Sequence, residues 1–383
     1  MKLTTATIVF FSCLIFVLPA ILLAISDDGV VMANFQVMKL NNMWLDISLI
    51  MLLWGVLVFL TYVVNVKLVF KSTISISVLD FFAFFYVLIG CVSIFIINDK
   101  VQPFELLGKN STQVGIVFSQ SGVLKYYLSL YALIISFFWF LNRLPTGNVF
   151  FYLLKIIFHF FIFGLMIFLF ALTRREMLFV LLLMYFFYLK KFKFSFDLYT
   201  GFLSLSVVFL VTYVTFLFRG VELNSFFDFF RSQEFMPVQF GMVLIDKWVD
   251  APYIDDLLRV FPLSFFTIDM DFTSLNKYYL EDVFRFGSFG PTISFFPVFF
   301  IYGFFIPLLY FMVHVFLMRF AEINISRGFA YPLLFCFISI RMLLFIRNGE
   351  MVNSLIEVFF FLFFLFPFFF YKDKRELANR WYC

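Results

Sequence analysis

Long runs of apolar residues alternate along the chain with short polar connections. A helix needs about 20 apolar residues to cross the hydrocarbon core of a bilayer, and backbone groups in lipid must be hydrogen-bonded within their own segment. The pattern predicts an all-α polytopic membrane protein, a single transmembrane domain over residues 1–383. The ten predicted spans cover residues 7–26, 44–66, 78–97, 126–142, 148–172, 177–189, 196–218, 292–315, 329–346 and 355–371.

The connections on one side of the predicted spans are very unequal in length. Residues 27–43, 98–125, 173–176 and 347–354 form short or modest connections, whereas residues 219–291 form one long loop between the seventh and eighth spans. The first apolar run, from Thr7 to Ile25, is long for a signal peptide and has the length of a span. We therefore expect an uncleaved first helix.

Basic residues predict the orientation of the spans, because cytoplasmic loops of membrane proteins are enriched in Lys and Arg. The same alternating set of span ends carries most of them, and we assign that side to the cytoplasm, with both termini. The strongest clusters are Lys190-Lys-Phe-Lys193 and Lys372-Asp-Lys-Arg375. The long loop then lies outside.

Composition agrees with this interpretation and excludes a soluble domain. The chain is 64% hydrophobic and 14% charged, with a mean hydropathy of +1.02, whereas soluble domains carry about 25% charged residues. Phenylalanine accounts for 69 of 383 residues. The net charge of +4 gives no reason to expect a nucleic-acid partner.

Cysteine and histidine patterns indicate neither a metal site nor a cofactor. The four cysteines form no CxxC motif and no Cys/His cluster. His159 and His314 lie within predicted spans, where a lone histidine is more often a packed polar residue than a catalyst. His314 is expected near the cytoplasmic end of its helix.

Several arginines oppose the orientation trend and are the candidate binding residues. Arg341 lies inside the ninth span, and four more lie at the outer ends of three spans: Arg174, Arg175, Arg219 and Arg347. Snorkelling to the headgroups explains a single arginine at a helix end, but a deeper one normally faces protein or a water-filled cavity. Converging guanidinium groups suit a phosphate or pyrophosphate group. We predict a site for a lipid-linked pyrophosphate.

The second candidate element closes the long loop, immediately before the eighth span. It reads Glu281-Asp-Val-Phe-Arg285-Phe-Gly287-Ser-Phe-Gly290. Gly287 and Gly290 permit a tight bend or a close backbone approach. The alternative is an ordinary junction between a loop and a helix, with a surface carboxylate.

Three patches resemble Wzy-type O-antigen polymerases of bacteria, and so does the arrangement of about ten spans with one long outer loop. The patches are Lys277 to Gly290 followed by Tyr302-Gly303, Phe345-Ile-Arg347-Asn-Gly-Glu350, and Ala171-Leu-Thr-Arg174-Arg175-Glu176. Some members also carry an outer-loop Arg with a Gly eleven positions later, or a His with a downstream Asn-Arg. Neither pattern occurs in the outer loops predicted here.

The resemblance implies a GT-C-like fold in the bacterial inner membrane and a metal-free glycosyl transfer. A polyprenyl-pyrophosphate-linked oligosaccharide would be joined to a second one, with polyprenyl pyrophosphate as the leaving group. Membrane lipid and a chain-length regulator protein are the implied partners. An acceptor hydroxyl needs a general base, for which Glu281 is the first choice and Glu350 the second.

Two other classes of protein remain as alternatives. A lipid-linked oligosaccharide flippase would also be polytopic and rich in arginine, but we would expect more spans, a two-fold repeat and short loops. An O-antigen ligase would use the same lipid donor, but such ligases carry a histidine in an outer loop, and none occurs here.

Overall fold

A computed structural model describes residues 3–33, 36–66, 68, 74–106, 117, 121–144, 149–172, 175–191, 210, 213–214, 238, 241–243, 305–348 and 352–371. Nine long helices occupy these residues: α1 (Thr5–Ser26), α2 (Met43–Val63), α3 (Ile76–Val101), α4 (Leu124–Arg143), α5 (Val149–Ala171), α6 (Arg175–Leu189), α7 (Phe305–Asn324), α8 (Ala330–Asn348) and α9 (Val352–Leu365). Short 3-10 helices cover Pro103–Leu106, Ile325–Arg327 and Phe366–Phe370.

Among the described residues, six helices are long and apolar enough to cross a membrane: α1, α2, α3, α5, α7 and α8. Two more, α6 and α9, are shorter apolar helices. Large apolar side chains such as Leu52, Phe95 and Phe160 are exposed on α2, α3 and α5, as expected of helices that face lipid. These features support an all-α polytopic membrane protein. A helix occurs at each of the first six predicted spans.

The two most enclosed helices are α4 and α8. Along α4, Leu130 to Ile135 are all buried, and along α8 the same holds from Ala330 to Ser339. Helix α3 packs along α4, α9 also contacts α4, and α8 is surrounded by α1, α6, α7 and α9. Polar side chains on α4 and α8 are therefore held among other helices rather than in lipid.

A group of polar contacts joins three helix ends, and we call it the polar lock. It consists of Thr5 on α1, Thr61 on α2, and Arg319 and Glu322 on α7. Glu322 Oε2 accepts hydrogen bonds from Thr5 N (3.0 Å), Thr5 Oγ1 (2.7 Å) and Arg319 Nη1 (3.2 Å), and Arg319 Nε donates to the Thr61 carbonyl oxygen at 3.0 Å. The side of the bundle marked by the polar lock is called the lock end, and the opposite side the far end.

A second group of contacts joins four more helix ends. Trp139 Nε1 donates to Asp80 Oδ1 at 2.7 Å, and the Trp139 ring packs against Phe329, Phe368 and Tyr371. These residues lie at the start of α3, the end of α4, the start of α8 and after the end of α9. All of these ends were predicted to share one side of the membrane, and the contacts agree with that grouping. Which side is cytoplasmic remains a prediction.

Two predictions about individual elements need correction. The eighth span was predicted to end at residue 315, but α7 continues to Asn324 because Arg319 and Glu322 pair with α1 and α2 instead of leaving the helix. His314 is therefore in the middle of α7, and not near its end. Residues 27–43, predicted as a loop, contain an antiparallel hairpin of Val30–Ala33 and Gln36–Lys39, paired in register from Val30–Lys39 to Ala33–Gln36. The predicted span 196–218 lies almost wholly outside the described residues, as do the long loop and residues 292–304.

Candidate functional site

Arg341 lies on α8 and is buried, with 4% of its surface exposed. It precedes Asn348, the last residue of α8, by seven residues, which is about 10 Å along a helix axis. A charge at that depth is costly unless it is paired. The sequence prediction that Arg341 faces protein rather than lipid is in line with this position.

Glu357 on α9 and Tyr131 on α4 bind the Arg341 guanidinium group. Arg341 Nη2 forms a salt bridge with Glu357 Oε2 and donates a hydrogen bond to Tyr131 Oη at 3.3 Å. The Tyr131 hydroxyl in turn donates to the same Glu357 oxygen at 2.5 Å. One carboxylate oxygen of Glu357 thus binds both the Arg341 guanidinium group and the Tyr131 hydroxyl. The three residues join α4, α8 and α9 and carry no net charge together, and we call them the Arg341 cluster.

Aromatic rings close the Arg341 cluster on the side of the lock end. Phe337 and Phe361 are each one helical turn closer to the lock end than Arg341 and Glu357, and their rings stack with centroids 4.0 Å apart and 7° between planes. The Tyr131 ring meets both edge-on, at 5.3 and 5.5 Å. The Arg341 guanidinium carbon lies 5.7 Å from the Phe337 ring centroid. This stack is called the aromatic floor.

Further charged and polar groups surround the Arg341 cluster. The charge of Arg341 interacts with Glu176, in the first turn of α6, and with His314 on α7. Arg347 lies in the last turn of α8, toward the far end. Arg341 Nε is buried, and no hydrogen-bond partner for it occurs in the part of the chain that the structure describes.

The two histidines are both held by aromatic neighbours. His159 Nδ1 shares a hydrogen bond with the Tyr185 hydroxyl at 3.0 Å. His314 is buried; its Nδ1 lies 3.0 Å from the Tyr310 carbonyl oxygen, and its ring stacks on Phe345. Their surroundings fit packed polar residues, as the sequence predicted.

The structure locates only some of the predicted site residues. Arg341 and Arg347 lie on α8, and Arg175 is the first residue of α6, so these arginines approach the far end on two neighbouring helices. The others fall outside the described residues: Arg174, Arg219, Glu281, Arg285, Gly287, Gly290 and Glu350. The grouping of all five arginines therefore remains a prediction.

Sequence reasoning missed Glu357 and Tyr131. A signal for Glu357 was present, because it is the one charged residue in the apolar segment 355–371, and a carboxylate within a span marks a functional or paired position. For charges inside the predicted spans, the sequence argument considered positive residues alone. Tyr131 gives no comparable signal, since tyrosine is common in this chain, with 18 copies.

Chemically, the cluster combines a cation, its counter-ion and a hydroxyl in a site shielded from water. Such a group can stabilise a negative charge wherever the cation is released from its carboxylate. Within the residues described, no three His, Cys, Asp or Glu side chains are grouped so that they could hold a metal ion. No family model, curated protein or solved structure matches the chain.

Proposed function

We propose that this chain polymerises polyprenyl-pyrophosphate-linked O-antigen repeat units at the outer face of a bacterial inner membrane, using a GT-C-like bundle of about ten spans. The observation that carries the proposal is a buried arginine, Arg341, about two helical turns from the far end of the bundle. Arg347 and Glu176 lie between it and that end. The resemblance of three short patches to O-antigen polymerases supplies the reaction.

The reaction places demands that these residue types can meet. The bond between the anomeric carbon of the donor sugar and its pyrophosphate oxygen breaks, and polyprenyl pyrophosphate leaves with the bonding electrons. The acceptor hydroxyl oxygen forms the new glycosidic bond and gives its proton to a carboxylate. Fixed guanidinium groups stabilise the charge that develops on the leaving group, and a general base contributes typically 10²–10⁴-fold.

A transporter is the second candidate, and one observation favours it. Ionisable residues paired inside a bundle often mark a substrate or proton pathway, and Arg341 with Glu357 is such a pair. The flippase and the polymerase would both need an anion site, but they differ in the product that cells lose when the protein is removed.

The lipopolysaccharide banding pattern of cells lacking this chain separates the candidates. A ladder that collapses to a single repeat unit supports a polymerase. Loss of every repeat indicates a flippase or a ligase, and an unchanged ladder contradicts all three. Complementation with the intact chain restores the ladder in the first case.

Arginine variants then test the anion site. Arg347→Ala removes the cation, and Arg347→Lys keeps the charge but removes the planar fork of donors. Both variants are expected to give shorter polymer than the parent at equal protein level. Arg327→Lys, at an exposed position near the lock end, is the matched control and should leave the ladder unchanged. Full-length polymer from Arg347→Ala would remove Arg347 from the site.

The general base is tested separately, since both candidates fall outside the described residues. Glu281→Gln keeps the shape of the side chain and removes its basicity, so it should abolish chain extension without lowering the protein level. Normal polymer from Glu281→Gln, together with an inactive Glu350→Gln, would assign the role to Glu350.

A further inference from the structure

Among the described residues, the Arg341 guanidinium group uses its Nη2 atom and leaves its Nε atom without a hydrogen-bond acceptor. The Nη2 atom contacts Glu357 and Tyr131, whereas the Nε–H group is buried. A buried donor without an acceptor is costly and uncommon. Arginine can bind an anion with two donors at once, so the present pairing leaves part of its capacity unused.

Glu357 neutralises Arg341, but it is not the only group that could do so. Removing the counter-ion of a buried charge is strongly unfavourable unless another anion takes its place. A phosphate oxygen is negatively charged, as a carboxylate oxygen is, and it accepts hydrogen bonds from a guanidinium group at a similar distance. Glu357 and an anionic ligand would therefore compete for one cation.

The surroundings determine the direction from which such a ligand could arrive. Toward the lock end, the aromatic floor of Phe337, Phe361 and Tyr131 fills the space beneath the ion pair. Toward the far end stand polar and charged residues, Glu176 and Arg347 among them. An anion would therefore enter from the far end, because the aromatic floor closes the opposite side.

Tyr131 gives Glu357 a second partner that does not depend on Arg341. Its hydroxyl donates to Glu357 Oε2 at 2.5 Å, so the carboxylate keeps this hydrogen bond when the guanidinium group turns away. Tyr131 also belongs to the aromatic floor, which fixes the position of its ring. The tyrosine is suited to hold the displaced carboxylate.

We propose that Glu357 is an internal competitor that occupies Arg341 until a phosphate or pyrophosphate group displaces it, with Tyr131 retaining the released carboxylate. Glu357 and Tyr131 are thus positioning residues for an anion-binding arginine. The inference rests on the proposed function for the class of ligand, and it adds the mechanism by which the site is kept neutral when empty.

Anion binding to the purified full-length protein in detergent tests the proposal. The probes are inorganic pyrophosphate and farnesyl pyrophosphate, and the dissociation constant is measured for each. Glu357→Gln retains the size of the side chain and removes the competing charge, so it should bind at least one of the two probes at least about fivefold more tightly, the lower end of usual coupling between sites. Unchanged or weaker binding of both probes would overturn the proposal.

Two further variants keep the test decisive if Glu357→Gln fails to fold. Tyr131→Phe removes one hydrogen bond from the displaced carboxylate, and should weaken pyrophosphate binding by about fivefold. The double variant Arg341→Gln/Glu357→Gln replaces the ion pair with a neutral pair and should bind pyrophosphate more weakly than the parent protein, because the arginine that holds the anion is absent. Glu105→Gln, an exposed carboxylate near the far end, is the control and should match the parent protein. If Tyr131→Phe or the double variant bound as the parent does, the competitor mechanism would be wrong.

The two probes also identify the source of the anion. Tightening seen with both probes supports the mechanism for phosphate groups in general, and tightening confined to farnesyl pyrophosphate supports it for a lipid headgroup. Failure of the proposed function has a different signature. In that case the lipopolysaccharide ladder is normal in cells without the protein, while Glu357→Gln still binds pyrophosphate more tightly.

Discussion

At the scale of single residues, the bundle places charged side chains where a partner on another helix can meet them. Glu322 on α7 accepts three hydrogen bonds, two of them from Thr5 on α1. Arg341 on α8 is matched by Glu357 on α9. The first group lies at the lock end and is partly exposed to solvent, whereas the second lies deep between helices.

The polar lock gives a prediction about stability. Glu322→Ala removes the acceptor for Thr5 and Arg319, so it should cost about 1–3 kcal/mol, the usual penalty for partly buried polar groups left without partners. Thermal unfolding of the detergent-solubilised protein measures the loss as a lower Tm. Glu105→Ala removes an exposed carboxylate and should leave the Tm within error. Equal Tm values for the two variants would contradict a stabilising role for Glu322.

The candidate site shows what sequence reasoning could and could not supply at this scale. Arg341 stands out in an apolar run, and the prediction that it faces protein follows from the cost of placing a charge in lipid. Its partner Tyr131 lies 210 residues away along the chain, and its partner Glu357 lies on the next helix. Nothing in the spacing of Tyr131 relates it to Arg341, because that relation exists only once α4 packs beside α8 and α9.

At the scale of elements, a close crossing between α3 and α4 sets how these helices pack. A Cβ atom added at Gly90 would lie 2.5 Å from Leu133 Cβ, closer than nonbonded carbon atoms can approach. Glycine at this position lets the two helices come together along their length. Small residues have the same role in many membrane helix pairs.

Gly90→Ala is therefore expected to destabilise the bundle by about 1–3 kcal/mol, as overpacking of a tight core does. Gly164→Ala on α5 is the matched control, because nothing lies within 4 Å of the added methyl group. It should be neutral or slightly stabilising, since alanine is the better helix former. Tm values of the two purified variants make the comparison, and a Gly90→Ala protein as stable as Gly164→Ala would show that the helices separate without cost.

The elements were predictable to different degrees. Runs such as 44–66 and 148–172 matched α2 and α5 closely, because long apolar stretches have few alternatives to helix in a bilayer. The end of α7 was placed nine residues too early, as the hydrophobic signal stops where charged residues begin. Those residues remain helical since they pair with α1 and α2. The hairpin after α1 was missed because its strands are four residues each.

At the scale of the whole molecule, the helices alternate between the two ends of the bundle as the distribution of basic residues predicted. The polar lock and the contacts of Trp139 together gather seven helix ends on one side, from α1, α2, α3, α4, α7, α8 and α9. The sequence predicted this grouping from the order of the apolar runs and from the basic residues at one alternating set of span ends. The absolute orientation rests on the positive-inside rule alone.

Cysteine labelling in intact cells determines that orientation. Ser26 at the far end and Ser326 at the lock end are both exposed, so Ser26→Cys and Ser326→Cys form a matched pair in a background without Cys91 and Cys383. An impermeant maleimide added from outside is expected to label position 26 and to miss position 326. Labelling of position 326 alone would invert the topology and move the Arg341 cluster to the cytoplasmic half of the membrane.

The bond between Thr5 and Glu322 has a consequence for the order in which the protein is made. These residues are 317 positions apart, and ribosomes add about 5–20 residues per second, so α1 waits on the order of half a minute for its partner. Helix α2 can pack against α1 soon after synthesis, but the surface of α1 that contacts α7 and α8 in the finished protein must be covered by lipid or by the insertion machinery during that interval. Closure of the bundle is therefore a late event in biosynthesis, and the first helix acquires its last neighbours only after α7 and α8 have been made.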